Sequence, residues 1–250
     1  MLYYSQTSNT KAVAQEIAKQ LKADIEEIAL VTPYDGDYKA TIERSKKERE
    51  QGITPEIKPL KVDVAKYDVI FLGYPIWYGT YAPPIATLLD KVDLSGKTIV
   101  PFCTFGSGGL ESSAAYLAQA QPKAKILDGY GVRAARMDAM PKEVDQFLKA
   151  SGFLKGKVVK LDDFSASHRV SNDEAAIYDA AIGDYPMMQN TRPLFVASRS
   201  IPDGTEYLFT ACEKRKEPVD PNMSMRPPKE MQVYVIVLDG KAPVFTKVVR

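Results

Sequence analysis

The feature that most constrains this chain is an alternation that runs up to about residue 152. Short apolar runs alternate with segments whose apolar residues recur at helical spacing. This order is typical of βαβ units, in which parallel strands form a sheet covered by helices on both faces. It predicts an α/β domain with a doubly wound, five-stranded parallel sheet. The predicted strands are residues 2–5, 24–29, 67–73, 97–103 and 125–133.

The segments between these runs predict five helices. The first is the clearest, because Val13, Ile17 and Leu21 recur at helical spacing behind Ser8 and Asn9, two good helix caps. The other predicted helices are residues 38–51, 84–91, 110–121 and 141–151.

After Gly152 the pattern changes to one amphipathic segment, residues 172–182, followed by β-branched and aromatic runs between turn signals. One helix on an antiparallel sheet of three or four strands is expected. The chain should therefore divide into residues 1–152 and a smaller α+β domain, residues 153–250. A polar stretch with four prolines, residues 214–230, is expected to be a mobile loop. The predicted strands are residues 194–198, 205–212, 231–238 and 244–249.

Charge and composition exclude several classes of function. The formal net charge is +1, so no long-range field attracts nucleic acid or an acidic membrane. Two distant cysteines, Cys103 and Cys212, and the single His168 support neither a metal centre nor a histidine-based triad. Cys103 is expected to be buried and inert. His168 is expected to be a surface or interdomain residue, with no acid or nucleophile at a recognisable spacing in the sequence. No apolar run approaches the roughly 18 residues of a membrane span.

The amino terminus is abrupt, because Met1 is followed at once by residues 2–5, which resemble the second half of a buried strand. We expect the natural chain to extend upstream. The sequence as it stands predicts a cytoplasmic protein, whereas a missing leader would predict export or a lipid anchor.

Ligands of open parallel sheets bind beyond the carboxyl ends of the strands, and three segments of this chain fall there. Loop 1 (residues 5–10) is rich in hydroxyls and opens the first helix, so it predicts either an uncharged phosphate site or an ordinary helix cap. Loop 2 (residues 73–81) carries the only tryptophan of the sequence, Trp77. Its ring either stacks on a planar aromatic ligand or anchors the next helix to the sheet. Loop 3 (residues 104–109) has three glycines whose amides could face a ligand, or it is a plain turn.

These blocks, taken in order, resemble the flavodoxin-like family of FMN-binding domains. YSQTSNT resembles the phosphate loop of that family, and GYPIWYGTYAPPI and DLSGKTIVPFCTFGSGG resemble blocks of a bacterial branch of it. The resemblance covers about residues 1–152 and implies strand order 2-1-3-4-5 with non-covalently held FMN. It implies that the phosphate is held by Ser5, Thr7, Ser8, Asn9 and Thr10, that Pro75, Ile76, Trp77 and Tyr78 flank the isoalloxazine ring, and that Thr104, Phe105, Gly106, Ser107 and Gly108 contact its other side and pyrimidine edge.

One residue departs from the family pattern. Ser8 stands where the phosphate loop usually has glycine. If that position requires a positive φ angle, serine costs about 1 kcal/mol, and FMN affinity falls accordingly.

The resemblance implies an FMN-binding flavoprotein that transfers electrons or carries out two-electron oxidoreduction. Its partner would be a redox protein or a small electron acceptor. The protein would be either an electron carrier or a quinone-reductase-like enzyme. The alternative is a scaffold that has lost FMN and binds proteins through its second domain. That domain is similar to cystatin-like folds in one hairpin, which implies a fold but no function.

Overall fold

The chain consists of two compact units, residues 1–158 and 159–250. This computed structural model describes residues 1–35, 37–214 and 229–250. The predicted proline-rich loop therefore lies largely outside the described residues. Within the part of the chain that the structure describes, no helix is long and apolar enough to cross a membrane.

The first unit is built on the predicted parallel sheet. Its strands follow the order β2-β1-β3-β5 and end on an edge strand that is interrupted into β6 and β7, both of which pair in parallel with β5. This arrangement confirms the predicted order 2-1-3-4-5. The strands are β1 (Leu2–Tyr3), β2 (Glu26–Glu27), β3 (Val69–Trp77), β4 (Thr80–Tyr81), β5 (Thr98–Phe105), β6 (Lys125–Ile126) and β7 (Tyr130–Arg133).

Helices cover both faces of this sheet. On one face Ile17 of α1 and Val144 of α5 are fully buried against Phe102, and on the other Leu88 of α3 and Leu117 of α4 are fully buried. The doubly wound architecture is thereby confirmed. The helices are α1 (Asn9–Leu21), α2 (Tyr38–Gln51), α3 (Pro83–Lys91), α4 (Leu110–Ala120) and α5 (Met140–Ala150), with short 3₁₀ turns at Val64–Lys66 and Ala134–Arg136.

The prediction that the third strand ends at Gly73 is wrong, because β3 continues to Trp77 and folds back on β4. Pro75 fits inside a strand here for a geometric reason. Alternate residues of a strand face the same neighbour, and the Gly73 carbonyl accepts from Tyr4 on the β1 side. The backbone nitrogen of Pro75 faces the same side. Since β1 ends at Tyr3, no strand lies there to accept a hydrogen bond, so the N–H that proline lacks is not needed.

The second unit packs one helix on an antiparallel sheet of order β12-β11-β10-β9-β8. The sheet has five strands where three or four were expected, because His168 and Arg169 form an additional edge strand against β9. Its core includes Tyr178, Phe209 and Phe245, all fully buried. The elements are β8 (His168–Arg169), α6 (Asn172–Ile182), a 3₁₀ turn at Pro186–Met188, β9 (Thr191–Ile201), β10 (Gly204–Glu213), β11 (Glu230–Leu238) and β12 (Val244–Val249).

A capping box starts α6 and also explains His168. The Ser171 hydroxyl accepts from the Glu174 amide, while the Glu174 carboxylate accepts from the Ser171 amide. The same carboxylate lies 2.9 Å from His168 Nε2. His168 therefore has an acidic partner that its sequence spacing did not indicate, because α6 folds back and brings Glu174 to β8.

The carboxylate of Glu174 should make the second unit sensitive to acid. The Ser171 amide and hydroxyl, with His168, hold the pKa of Glu174 below its ordinary value of 4.5. A lowered folded-state pKa contributes stability above pH 4.5 that is lost as pH falls through the folded value. We expect Glu174→Gln to be less stable than wild type at pH 7, and this difference to shrink below pH 4.5, in denaturant titrations at each pH. A difference that is independent of pH would contradict this.

Candidate functional site

Strand pairing brings the three predicted loops to one edge of the first sheet. Tyr3 of β1 lies opposite Gly73 of β3, and Pro75 of β3 lies opposite Thr104 of β5. Loop 1, the hairpin end of loop 2 and loop 3 therefore follow three adjacent parallel strands. This is the carboxyl edge where ligands of such sheets bind.

Loop 1 turns sharply into α1 at Ser8, which has φ 65° and ψ −6° in the left-handed region. The Ser5 hydroxyl accepts from the Lys11 amide at 3.2 Å and so closes the loop. The side chains of Thr7, Ser8 and Asn9 make no hydrogen bond within the described residues, and Thr7 and Ser8 are exposed. These polar groups and the first amides of α1 are thus available to a ligand.

The electrostatics of loop 1 come from dipoles and not from a cation. The nearest cation in the sequence, Lys11, has its ammonium group 3.1 Å from the Glu27 carboxylate, and both side chains are partly exposed. The free amides and positive end of α1 still favour an anion. The loop is therefore suited to an anion that is neutralised mainly by hydrogen bonds.

The left-handed backbone of Ser8 leads to a stability prediction. A residue with a side chain is strained in this region by about 1 to 2 kcal/mol, and glycine removes that strain. Glycine also has more conformational freedom in the unfolded chain, which offsets about 0.5 to 1 kcal/mol of the gain. We expect Ser8→Gly to raise the free energy of unfolding by about 0.5 to 1 kcal/mol in urea titrations. Thr7→Gly is the matched control and should lower it, because Thr7 has no positive φ.

Loops 1 and 3 are joined by a buried hydrogen bond between hydroxyls. Thr10 Oγ1 lies 2.8 Å from Thr104 Oγ1, and the two residues are 1% and 5% exposed. This contact connects the first turn of α1 to the end of β5. Thr10 and Thr104 therefore act as structural links at the floor of the site.

Loop 2 presents Trp77 within an aromatic cluster. The rings of Tyr4 and Tyr34 approach the indole edge-to-face, with centroids at 6.2 and 5.2 Å. Arg44 of α2 lies over the Tyr34 ring at 4.2 Å, and Tyr34 donates to Glu48 of the same helix. Trp77 is half-buried, so part of its ring remains accessible beside the loop edge.

Tyr78 is positioned differently although it is adjacent in sequence. Tyr78 and Gly79 have φ 53° and 80° and form a two-residue hairpin turn. The Tyr78 hydroxyl lies 3.0 Å from Ser45 Oγ and donates to the Ile42 carbonyl at 3.3 Å, and Arg49 lies over its ring at 5.0 Å. Tyr78 therefore attaches the hairpin to α2.

Loop 3 contacts loop 2 closely. A Cβ added at Gly109, where φ is 118°, would lie 2.7 Å from Ile76 Cγ2, so only glycine fits there. The Ser112 hydroxyl donates to the Gly79 carbonyl at 2.7 Å and adds a second link. Phe105 is buried in the core at 6% exposure, so at this position only the backbone faces the site.

Several residues of the site have no signal in the sequence. Gln6 donates to the Tyr34 carbonyl at 3.0 Å and accepts from the Tyr4 hydroxyl, which joins loop 1 to the segment before α2. Arg133 is 2% exposed and donates from Nε to the Gly106 carbonyl at 2.8 Å. Such contacts depend on residues far apart in the chain. Gln6 lies within the YSQTSNT block but has no predicted role there, and Arg133 lies outside every block that suggested the family.

The edge offers no reactive side chain for covalent chemistry. Burial raises the pKa of the Cys103 thiol well above its ordinary value, and Cys103 is fully buried. Loops 1 to 3 contain no charged residue. Among residues 1–35, 37–214 and 229–250, no group of three or more His, Cys, Asp or Glu could hold a metal ion. What the edge does offer is the hydrogen-bonding groups of loop 1 and the half-buried indole of Trp77.

Comparisons with known proteins agree with this geometry. The sequence model of a protein family described as flavodoxin matches residues 1–161. A candidate flavoprotein from Bacteroides eggerthii is 29% identical with a TM-score of 0.53, and the match covers 60% of this chain and 94% of that one. Another from Bacteroides uniformis is 25% identical with a TM-score of 0.51, covering 58% and 95%.

A third structure, a flavoprotein in complex with FMN from Lactobacillus acidophilus, is 25% identical with a TM-score of 0.48, covering 52% of this chain and 89% of that one. No curated protein matches the chain in sequence at a significant level.

Proposed function

This chain belongs to the flavodoxin family, and from that membership we propose that it is an FMN-binding redox protein whose flavin is held by loops 1 to 3. One observation carries the proposal above the others. The three loops are joined into a single edge by the Thr10–Thr104 hydrogen bond and by the contact of Ile76 with Gly109. The hydroxyl-rich loop 1, the indole of Trp77 and the amides of loop 3 therefore lie together.

The residues of loop 1 fit the phosphate of FMN. The hydroxyl groups of Thr7 and Ser8, the Asn9 amide and the first N–H groups of α1 are all donors, and those side chains have no partner within the described residues. Ser5 closes the loop, and Thr10 fixes it to β5. A phosphate dianion at the positive end of a helix is stabilised by the aligned peptide dipoles.

The residues of loops 2 and 3 fit the ring system. Trp77 is held by Tyr4 and Tyr34 and can contact a planar group, while the amides of Ser107 and Gly108 can donate to its polar edge. FMN supplies the one- and two-electron redox chemistry when it is bound. Loops 1 to 3 hold no titratable acid or base apart from tyrosine, and in this proposal they bind and orient the ring.

This chemistry favours transfer of electrons to a redox partner protein or to a small acceptor. Cys103 contributes no thiolate, because its pKa is raised by burial. A quinone-reductase-like activity needs only space above the ring and a second stacking surface, so it belongs to the same proposal.

The absorption spectrum of the purified full chain tests the proposal. We expect flavin bands, either as isolated or after FMN is added to the stripped protein, that saturate at one FMN per chain and bleach reversibly with dithionite. A protein that stays colourless and does not quench FMN fluorescence would contradict it. That outcome would favour the alternative of an FMN-free scaffold, in which the second unit binds proteins.

A further inference from the structure

A buried arginine lies directly behind loop 3. Arg133 is the last residue of β7 and pairs in register with Phe105, the last residue of β5. Its side chain is only 2% exposed, and its Nε donates to the Gly106 carbonyl at 2.8 Å. A guanidinium is rarely buried to this degree unless it makes specific contacts.

This hydrogen bond sets the direction of one peptide group. In a trans peptide, the carbonyl of one residue and the N–H of the next point in opposite directions. Because the Gly106 carbonyl points toward the buried Arg133, the Ser107 N–H points away from it. No acceptor for the Ser107 amide is found within residues 1–35, 37–214 and 229–250. Loop 3 thus presents a donor on the side opposite to the guanidinium.

The contact is strong enough to control a glycine-rich loop. Gly106 and Gly108 place few steric limits on the backbone, so the 106–107 peptide could otherwise rotate. Hydrogen bonds from charged donors are shorter and about twice as strong as neutral ones. The cation on β7 therefore selects one orientation of a peptide that glycine alone would leave free.

We propose that Arg133 is a positioning residue that aims the Ser107 amide at the polar edge of the ligand ring. This inference rests on the proposed function, because the ligand is taken to be a flavin. Arg133 does not contact the ligand in this account. It acts through the peptide group between Gly106 and Ser107.

A second buried arginine provides a matched control. Arg136 is 9% exposed and bonds to Glu143, which also accepts from the Tyr130 hydroxyl at 2.9 Å. The carboxylate that it pairs with lies on α5 and not on loop 3. Loss of Arg136 removes a buried guanidinium of similar cost to folding while leaving the 106–107 peptide unchanged.

The test titrates the flavin-free full chain with FMN and with riboflavin, following the quenching of flavin fluorescence. We expect Arg133→Met to weaken binding of both flavins about tenfold and by the same factor, since the ring edge is common to both. Arg133→Lys, which keeps a cationic donor, should recover part of this loss and of the position of the flavin absorption bands. Arg136→Met should leave both affinities and the bands unchanged.

A second pair of variants keeps the inference testable if Arg133→Met does not fold. Ser107→Pro removes the N–H itself and should also weaken both flavins equally, whereas Ser107→Ala keeps the amide and should bind like wild type. Folded Arg133→Met or Ser107→Pro protein that binds as tightly as wild type, or that loses only FMN, would overturn the inference. Wild-type protein that binds neither flavin would refute the proposed function and this inference together.

Discussion

Replacing Trp77 by alanine is expected to weaken FMN binding about thirtyfold, which corresponds to about 2 kcal/mol. The indole is half-buried at the loop edge and is held by the edges of Tyr4 and Tyr34. A ring fixed in this way loses little freedom when a ligand packs against it, so most of its contact energy contributes to affinity.

Tyr78 is the informative comparison, because the family resemblance implies that both Trp77 and Tyr78 flank the isoalloxazine ring of FMN. Its hydroxyl bonds to Ser45 and to the Ile42 carbonyl, and Arg49 covers one face. Tyr78→Phe removes those hydrogen bonds and keeps the ring. We expect it to lower the stability of the hairpin but to change FMN affinity less than threefold, about 0.6 kcal/mol.

Isothermal titration of the flavin-free protein with FMN, after a thermal melt of each variant, measures both effects. A folded Trp77→Ala variant with wild-type affinity would show that the indole only anchors the hairpin, which was the other interpretation of loop 2. Because Tyr78→Phe keeps the ring, a larger loss in that variant than in Trp77→Ala would instead assign a contact with FMN to the Tyr78 hydroxyl.

The parts of the fold that were predictable are those with a local physical signal. Alternation of strands and helices follows from the spacing of apolar residues, and the site edge follows from where parallel strands end. The glycine that the family usually has at Ser8 raised the question of a positive φ angle there, and the observed φ is 65°.

The hairpin after Trp77 was missed because its turn gives only half of the usual signal. A two-residue turn of this kind favours Asn-Gly or Asp-Gly, and here Tyr78 occupies the first position. Its left-handed conformation is compensated by the contacts to α2, which are far away in sequence. Proline is also unfavourable inside a strand, and Pro75 is acceptable in β3 only because β1 ends early.

Two charged residues, Arg133 at the site and Glu174 in the second unit, were missed for the same reason. Arg133 lies 27 positions from Gly106, and nothing near it in the sequence marks it as buried. Glu174 lies six positions from His168, and the turn into α6 determines that they meet. Burial and partner choice of a charged side chain are tertiary properties, whereas periodicity reports only which face of an element is apolar.

Thr10→Val is expected to lower the free energy of unfolding of the first unit by about 2 kcal/mol. Valine has the shape of threonine, so packing is kept while the hydroxyl of Thr104 loses its partner at 5% exposure. A buried hydroxyl left without a hydrogen bond costs about 1 to 3 kcal/mol, whereas two apolar groups in its place are nearly neutral. The loss should therefore be largely reversed in the double variant Thr10→Val, Thr104→Val.

A double-mutant cycle in urea, with both single variants and the double, measures this coupling. The same proteins separate the architectural role of the hydroxyl pair from phosphate binding. If Thr10 also donates to the phosphate, the double variant should regain stability yet bind FMN more weakly, with riboflavin affinity unchanged. Additive losses of stability in the double variant would instead show that each hydroxyl acts independently, and loops 1 and 3 would then be aligned by strand pairing alone.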